Sequence, residues 1–144
     1  MANSQYLRGL RDGLPIGLGY FAVSFGLGIS CRAAGLNAVQ SFFLSLLNNA
    51  SAGEYGGITV IAADSGFLVM ALMMLVVNAR YMLMSCALSQ RLSPDTPLVW
   101  RMIIGFDLTD ELFAIAVARP GDLEVWYYFG AMCAAMPCWS VGTA

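Results

Sequence analysis

Residues 67–90, FLVMALMMLVVNARYMLMSCALSQ, constrain the fold most strongly, because this run of 24 residues is almost entirely apolar. The hydrocarbon core of a bilayer is about 30 Å thick, and a helix that rises 1.5 Å per residue needs roughly 20 apolar residues to cross it. The run exceeds that length. We therefore predict a transmembrane helix over 67–90.

Four further apolar segments accompany this run, and the composition agrees with them. Hydrophobic residues make up 59% of the chain and charged residues 11%, whereas globular domains carry about a quarter charged residues. We predict an all-α integral membrane protein, a bundle of about five transmembrane segments that forms a single transmembrane domain over residues 1–144. The other segments are 14–31, 38–63, 98–118 and 125–144.

Residue usage argues against several classes of function. The net charge is −2 and lysine and histidine are absent, so no basic patch exists for a nucleic-acid partner. Four cysteines without histidine and without a C-x-x-C spacing do not predict a metal site. No nucleophile–base pair can be placed, so we expect neither an enzyme nor a cofactor.

The stretch NNASAGEYGG, residues 48–57, interrupts the apolar segment 38–63 with polar and small residues. The apolar parts on either side measure about 20 Å and 14 Å as helices, so neither crosses a bilayer alone. Segment 38–63 is therefore either one discontinuous helix or a re-entrant hairpin. In both cases we predict that residues 48–57 are non-helical and lie near the middle of the membrane.

Irregular backbone at membrane depth is tolerated where it lines a polar cavity, and secondary transporters bind their substrates at such breaks. Asn48, Asn49 and Ser51 are able to exchange hydrogen bonds with a substrate. Glu54 is able to receive an amino group or a proton. The alternative is that the glycines only permit close helix packing and that Glu54 lies in a water-filled crevice.

Asn78 and Arg80 lie near the centre of the predicted helix 67–90. A central arginine costs roughly 2.5–3.5 kcal/mol on insertion scales, so it normally faces protein or water and has a partner. We predict that Arg80 points into the bundle, within reach of Glu54 or of the acidic residues 107–111. Its role is either in substrate binding or coupling, or in a structural ion pair.

Asp107, Asp110 and Glu111 occupy the middle of segment 98–118. In a continuous helix they fall within a 100° arc, so we predict that one polar face carries all three. The alternative is an interfacial helix with its acids in water. Together with Glu54 they would set four carboxylates against Arg80 inside the membrane, a net charge of −3.

Burial disfavours ionised carboxylates, so an excess of this size requires a bound cation or protonated acids. We predict a coupling proton or Na⁺, with Glu54 as the group that carries the proton.

The arginines outside the membrane interior bear on orientation. If segment 38–63 spans, these six arginines divide three against three between the two sides. If it is re-entrant, they divide four against two, with the N-terminus on the arginine-rich side. We predict a cytoplasmic N-terminus and leave open whether 38–63 spans or re-enters.

The order of these features resembles the AzlC family, the large subunit of bacterial branched-chain amino acid exporters. Four stretches carry the likeness, and the last two are the most specific. They are GLPIGLGYFAVSFGLG (13–28), NNASAGEYGG (48–57), VNARYMLMSCALS (77–89) and GFDLTDELFA (105–114).

The resemblance implies a multi-pass protein of the bacterial cytoplasmic (inner) membrane that exports amino acids such as valine or leucine by ion-coupled secondary transport. It implies a small hydrophobic partner subunit of the AzlD type. Members of the family are typically longer, so the chain is expected to be truncated at its C-terminus. They more often carry glutamine where this chain has Glu54. Two alternatives from other classes are a cation channel or carrier, and a membrane scaffold subunit that transports nothing.

Overall fold

A computed structural model describes residues 2–144, and within that range every regular element is a helix, as predicted. Eight helices follow one another along the described chain. They are α1 (Ala2–Ala33), α2 (Ala38–Asn48), α3 (Ser51–Ala62), α4 (Phe67–Val77), α5 (Ala79–Ser89), α6 (Leu98–Phe106), α7 (Asp110–Val117) and α8 (Val125–Thr143).

The predicted break in segment 38–63 is present but much shorter than expected. Only Asn49 and Ala50 separate α2 from α3, so the prediction that all of 48–57 is non-helical is wrong. Asn49 adopts a left-handed conformation with φ 49°, which asparagine tolerates better than most residues. Ala50 is extended, and the chain then enters α3 directly. One left-handed residue is enough to end α2.

The apolar run 67–90 is not one continuous helix, contrary to the prediction. It is interrupted at Asn78, and α4 and α5 meet there at a bend of 44°. The Asn78 N–H still reaches the carbonyls of Met74 and Val76. An asparagine side chain competes with the backbone for hydrogen bonds, which lowers its preference for a helix interior.

Segment 98–118 is broken as well, so the predicted common face of its acids does not form. Asp107 ends α6 outside helical geometry, and Thr109 begins α7 by accepting a hydrogen bond from the Leu112 N–H at 3.4 Å. A helical wheel drawn through 107–111 therefore does not apply, because Asp107 belongs to a different element from Asp110.

One helix in the described range, α1 with 32 residues, is long and apolar enough by itself to cross a membrane. The bent pair α4–α5 would be a second span if it crosses as a unit. The count of about five segments and the single transmembrane domain stay predictions.

By its internal contacts the chain divides into two compact units. The first contains the residues up to Gly17 together with Tyr81–Met136. In it, α1 and α8 approach closely: a Cβ added at Gly13 would lie 2.7 Å from the Ala131 carbonyl oxygen. The Tyr128 hydroxyl donates to the Asp107 carbonyl at 3.0 Å, which holds the α6–α7 break against α8.

The second unit contains Leu18–Arg80 and Pro137–Ala144. Its core consists of Leu27 and Cys31 from α1, Ile58 from α3 and Trp139 from α8, all buried. By contrast, α4 has no buried residue, and Phe67 at its start is 95% exposed. The apolar outer surface of this unit is typical of a protein that faces lipid.

Candidate functional site

Glu54 is the most deeply buried charged group in the second unit. It lies in the first turn of α3, where the helix dipole favours a carboxylate, and its side chain is 0% exposed. Its Oε2 accepts a hydrogen bond from the Trp139 indole N–H at 2.9 Å and one from the Ser45 hydroxyl at 3.4 Å. Its Oε1 is buried and has no hydrogen-bond partner. One oxygen is thus held by the protein, and the other has no partner within it.

A pair of hydroxyls extends this arrangement. Ser45 Oγ and Thr143 Oγ1 lie 3.1 Å apart, and Thr143 Oγ1 donates to the Trp139 carbonyl at 3.1 Å. Both residues are buried. The hydrogen bonds therefore run from the Glu54 carboxyl through α2 to the last turn of α8.

Sequence reasoning missed Ser45, Trp139 and Thr143. A partial signal was present: Ser41 and Ser45 are four residues apart in α2 and both are buried, as are Trp139 and Thr143 in α8. Residues four apart share one face of a helix. This spacing shows that the residues share a helix face, but it does not show that the face contacts the Glu54 carboxyl group.

The α2–α3 break and the α4–α5 break come together at Gly53. A Cβ added there would lie 3.1 Å from Asn78 Nδ2, 3.2 Å from Asn78 Oδ1 and 3.2 Å from Asn48 Oδ1. Two side-chain amides therefore converge on one point, and they have room because glycine has no side chain. Asn48 Nδ2 and Asn78 Oδ1 are buried without a hydrogen-bond partner, a donor and an acceptor respectively.

A mostly apolar groove of about 570 Å³ opens beside Asn48. Asn48 and Gln40 supply its polar lining, and Met74 also lines it. The Met74 sulfur accepts a weak hydrogen bond from Asn78 Nδ2 at 3.8 Å. A volume in this range suits a small organic ligand. The remaining lining residues are Leu36, Val39, Phe43, Leu44, Leu47 and Ile61.

The other residues predicted for the site have different positions. Asn49 is buried at the break itself, and Ser51 is half-buried at the first position of α3. Arg80 is the second residue of α5 and is exposed, rather than buried in the bundle as predicted. Its approach to a carboxylate stays a prediction.

The three acids of segment 98–118 belong to the first unit. Asp107 is buried, whereas Asp110 and Glu111 lie exposed in the first turn of α7. Acids in the first turn of a helix stabilise it through the helix dipole. Within the described residues, no cluster of three or more cysteines and acids has the arrangement of a metal site.

Comparison with known proteins identifies relatives of this chain. A family model described as AzlC protein matches residues 15–144. The inner membrane protein YgaZ of Escherichia coli (strain K12) is 30% identical over 121 residues, which cover 81% of this chain and 48% of that protein. A protein of Archaeoglobus fulgidus described as an uncharacterized membrane protein is 28% identical over 142 residues, 99% of this chain and 61% of its own length.

The chain thus spans about half to three fifths of the length of these curated relatives. No solved structure shows significant similarity to it. The family match extends over nine tenths of the sequence and both relatives are membrane proteins. It follows that this chain is a membrane protein and belongs to the AzlC family.

Proposed function

We propose that the protein is a transporter subunit that exports branched-chain amino acids by ion-coupled secondary transport across a bacterial cytoplasmic membrane. Membership of the AzlC family and the membrane location of its relatives support a role in transport. The observation that carries the proposal is the convergence of two helix breaks at Gly53. The side chains of Asn48 and Asn78 lie there, and each has one buried polar atom without a hydrogen-bond partner.

The chemistry of this place suits an amino acid zwitterion. The substrate carboxylate would accept from Asn48 Nδ2 and from the first N–H groups of α3, which have no partners within their own helix. The substrate ammonium would donate to Asn78 Oδ1 or to Glu54 Oε1. Buried polar atoms without partners are rare in folded proteins, and a ligand that satisfies them explains their presence.

The groove supplies the selectivity for side chains. Its walls, from Leu36 to Met74, are mainly aliphatic and aromatic. A valine or leucine side chain buried there would be removed from water, at about 25 cal/mol per Å² of apolar surface. A polar side chain would lose its hydration and find few partners there, since Gln40 and Asn48 alone are polar in the lining.

The zwitterion brings no net charge to the site, so Glu54 and the other acids need a cation of their own. The candidates are a proton or Na⁺, and Glu54 is the proposed carrier because it is buried beside the break. Asp107, Asp110, Glu111 and Arg80 are proposed to take part along the path. An AzlD-like small hydrophobic subunit is the proposed partner, and the N-terminus is proposed to be cytoplasmic.

The experiment that tests this function compares valine flux with cation flux. The protein and an AzlD-like subunit would be reconstituted in vesicles, and uptake of labelled valine would be followed for the wild type, Asn48→Ala and the matched control Asn3→Ala. Asn3 is exposed near the start of α1.

A hydrogen bond to a charged group contributes about 1.5–3 kcal/mol. Asn48→Ala should therefore weaken valine affinity about 10- to 150-fold, and the control should match the wild type. Cation flux without valine flux would favour a channel or carrier, and the absence of both would favour a scaffold subunit.

A further inference from the structure

We infer that the ion bound at Glu54 is a proton rather than Na⁺, and that Trp139, Ser45 and Thr143 determine this choice by positioning the carboxyl group. The inference rests on the proposed function, in which Glu54 binds the coupling ion, and it names the ion and the residues that select it. None of these three residues belongs to the predicted substrate site.

The Trp139 side chain argues against a metal cation. An indole nitrogen carries a hydrogen and donates only, so it cannot serve as a ligand. Its N–H lies 2.9 Å from Oε2 and occupies one side of that oxygen. A hard cation requires several oxygen ligands around it and is repelled by the positive end of an N–H bond. A proton on the carboxyl group needs only one acceptor.

The hydroxyl pair is able to accommodate both charge states of Glu54. When the carboxyl is ionised, Ser45 donates to Oε2, as its geometry at 3.4 Å allows. When Oε2 is protonated, the new O–H donates to Ser45 Oγ, which turns its own hydrogen to Thr143 Oγ1. Thr143 already donates to the Trp139 carbonyl, so every hydrogen in this chain has an acceptor.

Glu54 can change between its ionised and its protonated state without movement of any carbon, nitrogen or oxygen atom of the protein. One O–H bond forms at Oε2 as a hydronium ion gives up a proton and leaves as water, and only the Ser45 hydroxyl turns, because Thr143 donates to the Trp139 carbonyl in both states. Oε1 stays available to the substrate in both states, since it has no partner within the protein. The same site would hold Na⁺ poorly, because Ser45 Oγ and Thr143 Oγ1 are 3.1 Å apart, which is hydrogen-bond distance and too close for an ion between them.

Few ionisable side chains are found on the other elements that contact Glu54 or its partners. From α1, the buried Cys31 thiol lies close enough to interact electrostatically with the carboxyl. Tyr20, also on α1, packs its ring edge-on against Trp139 with centroids 5.2 Å apart. The sequences of α2 and α4 contain no ionisable side chain. Proton binding at Glu54 is therefore governed by its burial first and then by its hydrogen bonds to Trp139 and Ser45.

Infrared spectroscopy of the full chain in vesicles, without substrate, tests this inference. The C=O band of a protonated carboxylic acid would be titrated with pH in Na⁺ and in choline buffers, and Glu54→Gln would assign the band. We expect the band to titrate identically in the two buffers. Loss of the band on addition of Na⁺ at constant pH would overturn the inference.

Two variants test the positioning residues. Trp139→Phe removes one donor to the ionised form, so the titration midpoint should rise by about one to two pH units. Thr143→Val removes the acceptor of Ser45 and should shift the band frequency, whereas Thr143→Ser should restore it. The control Thr59→Val changes an exposed threonine on α3 that bonds the Tyr55 carbonyl, and should shift neither property.

The outcomes separate this inference from the proposed function. If Trp139→Phe and Thr143→Val leave both the midpoint and the frequency unchanged while the vesicles still transport valine, the positioning role is wrong and the transport function stands. If the band responds as expected but no valine flux is found, the proton site stands and the proposed substrate is wrong.

Discussion

A methyl group added at Gly53 should weaken substrate binding while leaving the fold intact. In Gly53→Ala the new Cβ would lie 3.1 Å from Asn78 Nδ2 and 3.2 Å from Asn48 Oδ1. These separations are tighter than ordinary van der Waals contacts, so both amides must move by a few tenths of an ångström. The methyl group also fills the space between the Asn48 and Asn78 side chains.

The size of the loss in valine affinity follows from the hydrogen bonds that Gly53→Ala would disturb. Each bond between an amide and a charged substrate group is worth about 1.5–3 kcal/mol. Loss of one bond predicts a 10- to 150-fold weaker valine affinity, and loss of both predicts more. Helix propensity acts in the opposite direction, because alanine favours a helix over glycine by about 1 kcal/mol. The cost of moving the two amides opposes this gain, so the variant should unfold close to the temperature of the wild type.

Gly19→Ala is the matched control for this prediction. Gly19 lies within α1, is exposed, and has nothing within 4 Å of an added Cβ. The control should gain the same helix propensity without losing affinity. The assay is valine binding to the purified protein together with its thermal unfolding. Equal valine affinity for both variants would refute the claim that the two amides bind the substrate.

Two further predictions concern other parts of the chain. Arg80→Leu should abolish valine transport while the protein still inserts into the membrane, as measured by flux and by membrane fractionation; wild-type export would favour a structural role for this arginine. Gly13→Ala places a Cβ 2.7 Å from the Ala131 carbonyl oxygen in the first unit. It should lower stability by about 1–3 kcal/mol, seen as a lower unfolding temperature than that of Gly19→Ala; an unchanged temperature would contradict the close packing of α1 and α8.

The helical class and the position of the central break could be predicted because both depend on local composition. Apolar runs of this length favour helices, and Asn49 is one of the few residues that tolerates a left-handed conformation. The length of the break could not be predicted. The glycines of NNASAGEYGG suggest unwinding, yet Gly53 lies inside α3 and provides space for two neighbouring amides.

The partners of Glu54 could not be found from the sequence, because they depend on packing between distant segments. Trp139 is 85 residues away from Glu54, and Thr143 is 98 residues away from Ser45. The interruption at Asn78 was likewise missed, because its apolar neighbours predict a continuous span. Asn78 itself was predicted as a site residue, and the structure explains how it is brought to Asn48.

The role of Glu54 as the carrier of the coupling proton is tested by valine flux in vesicles, with and without an imposed pH gradient, for the wild type and Glu54→Gln. Glutamine resembles the protonated carboxyl group and carries no proton to exchange. We predict that the wild type accumulates valine in response to the gradient. Glu54→Gln should exchange valine across the membrane at a similar rate but show no response to the gradient. An equal response of both proteins would contradict the claim that Glu54 carries the coupling proton.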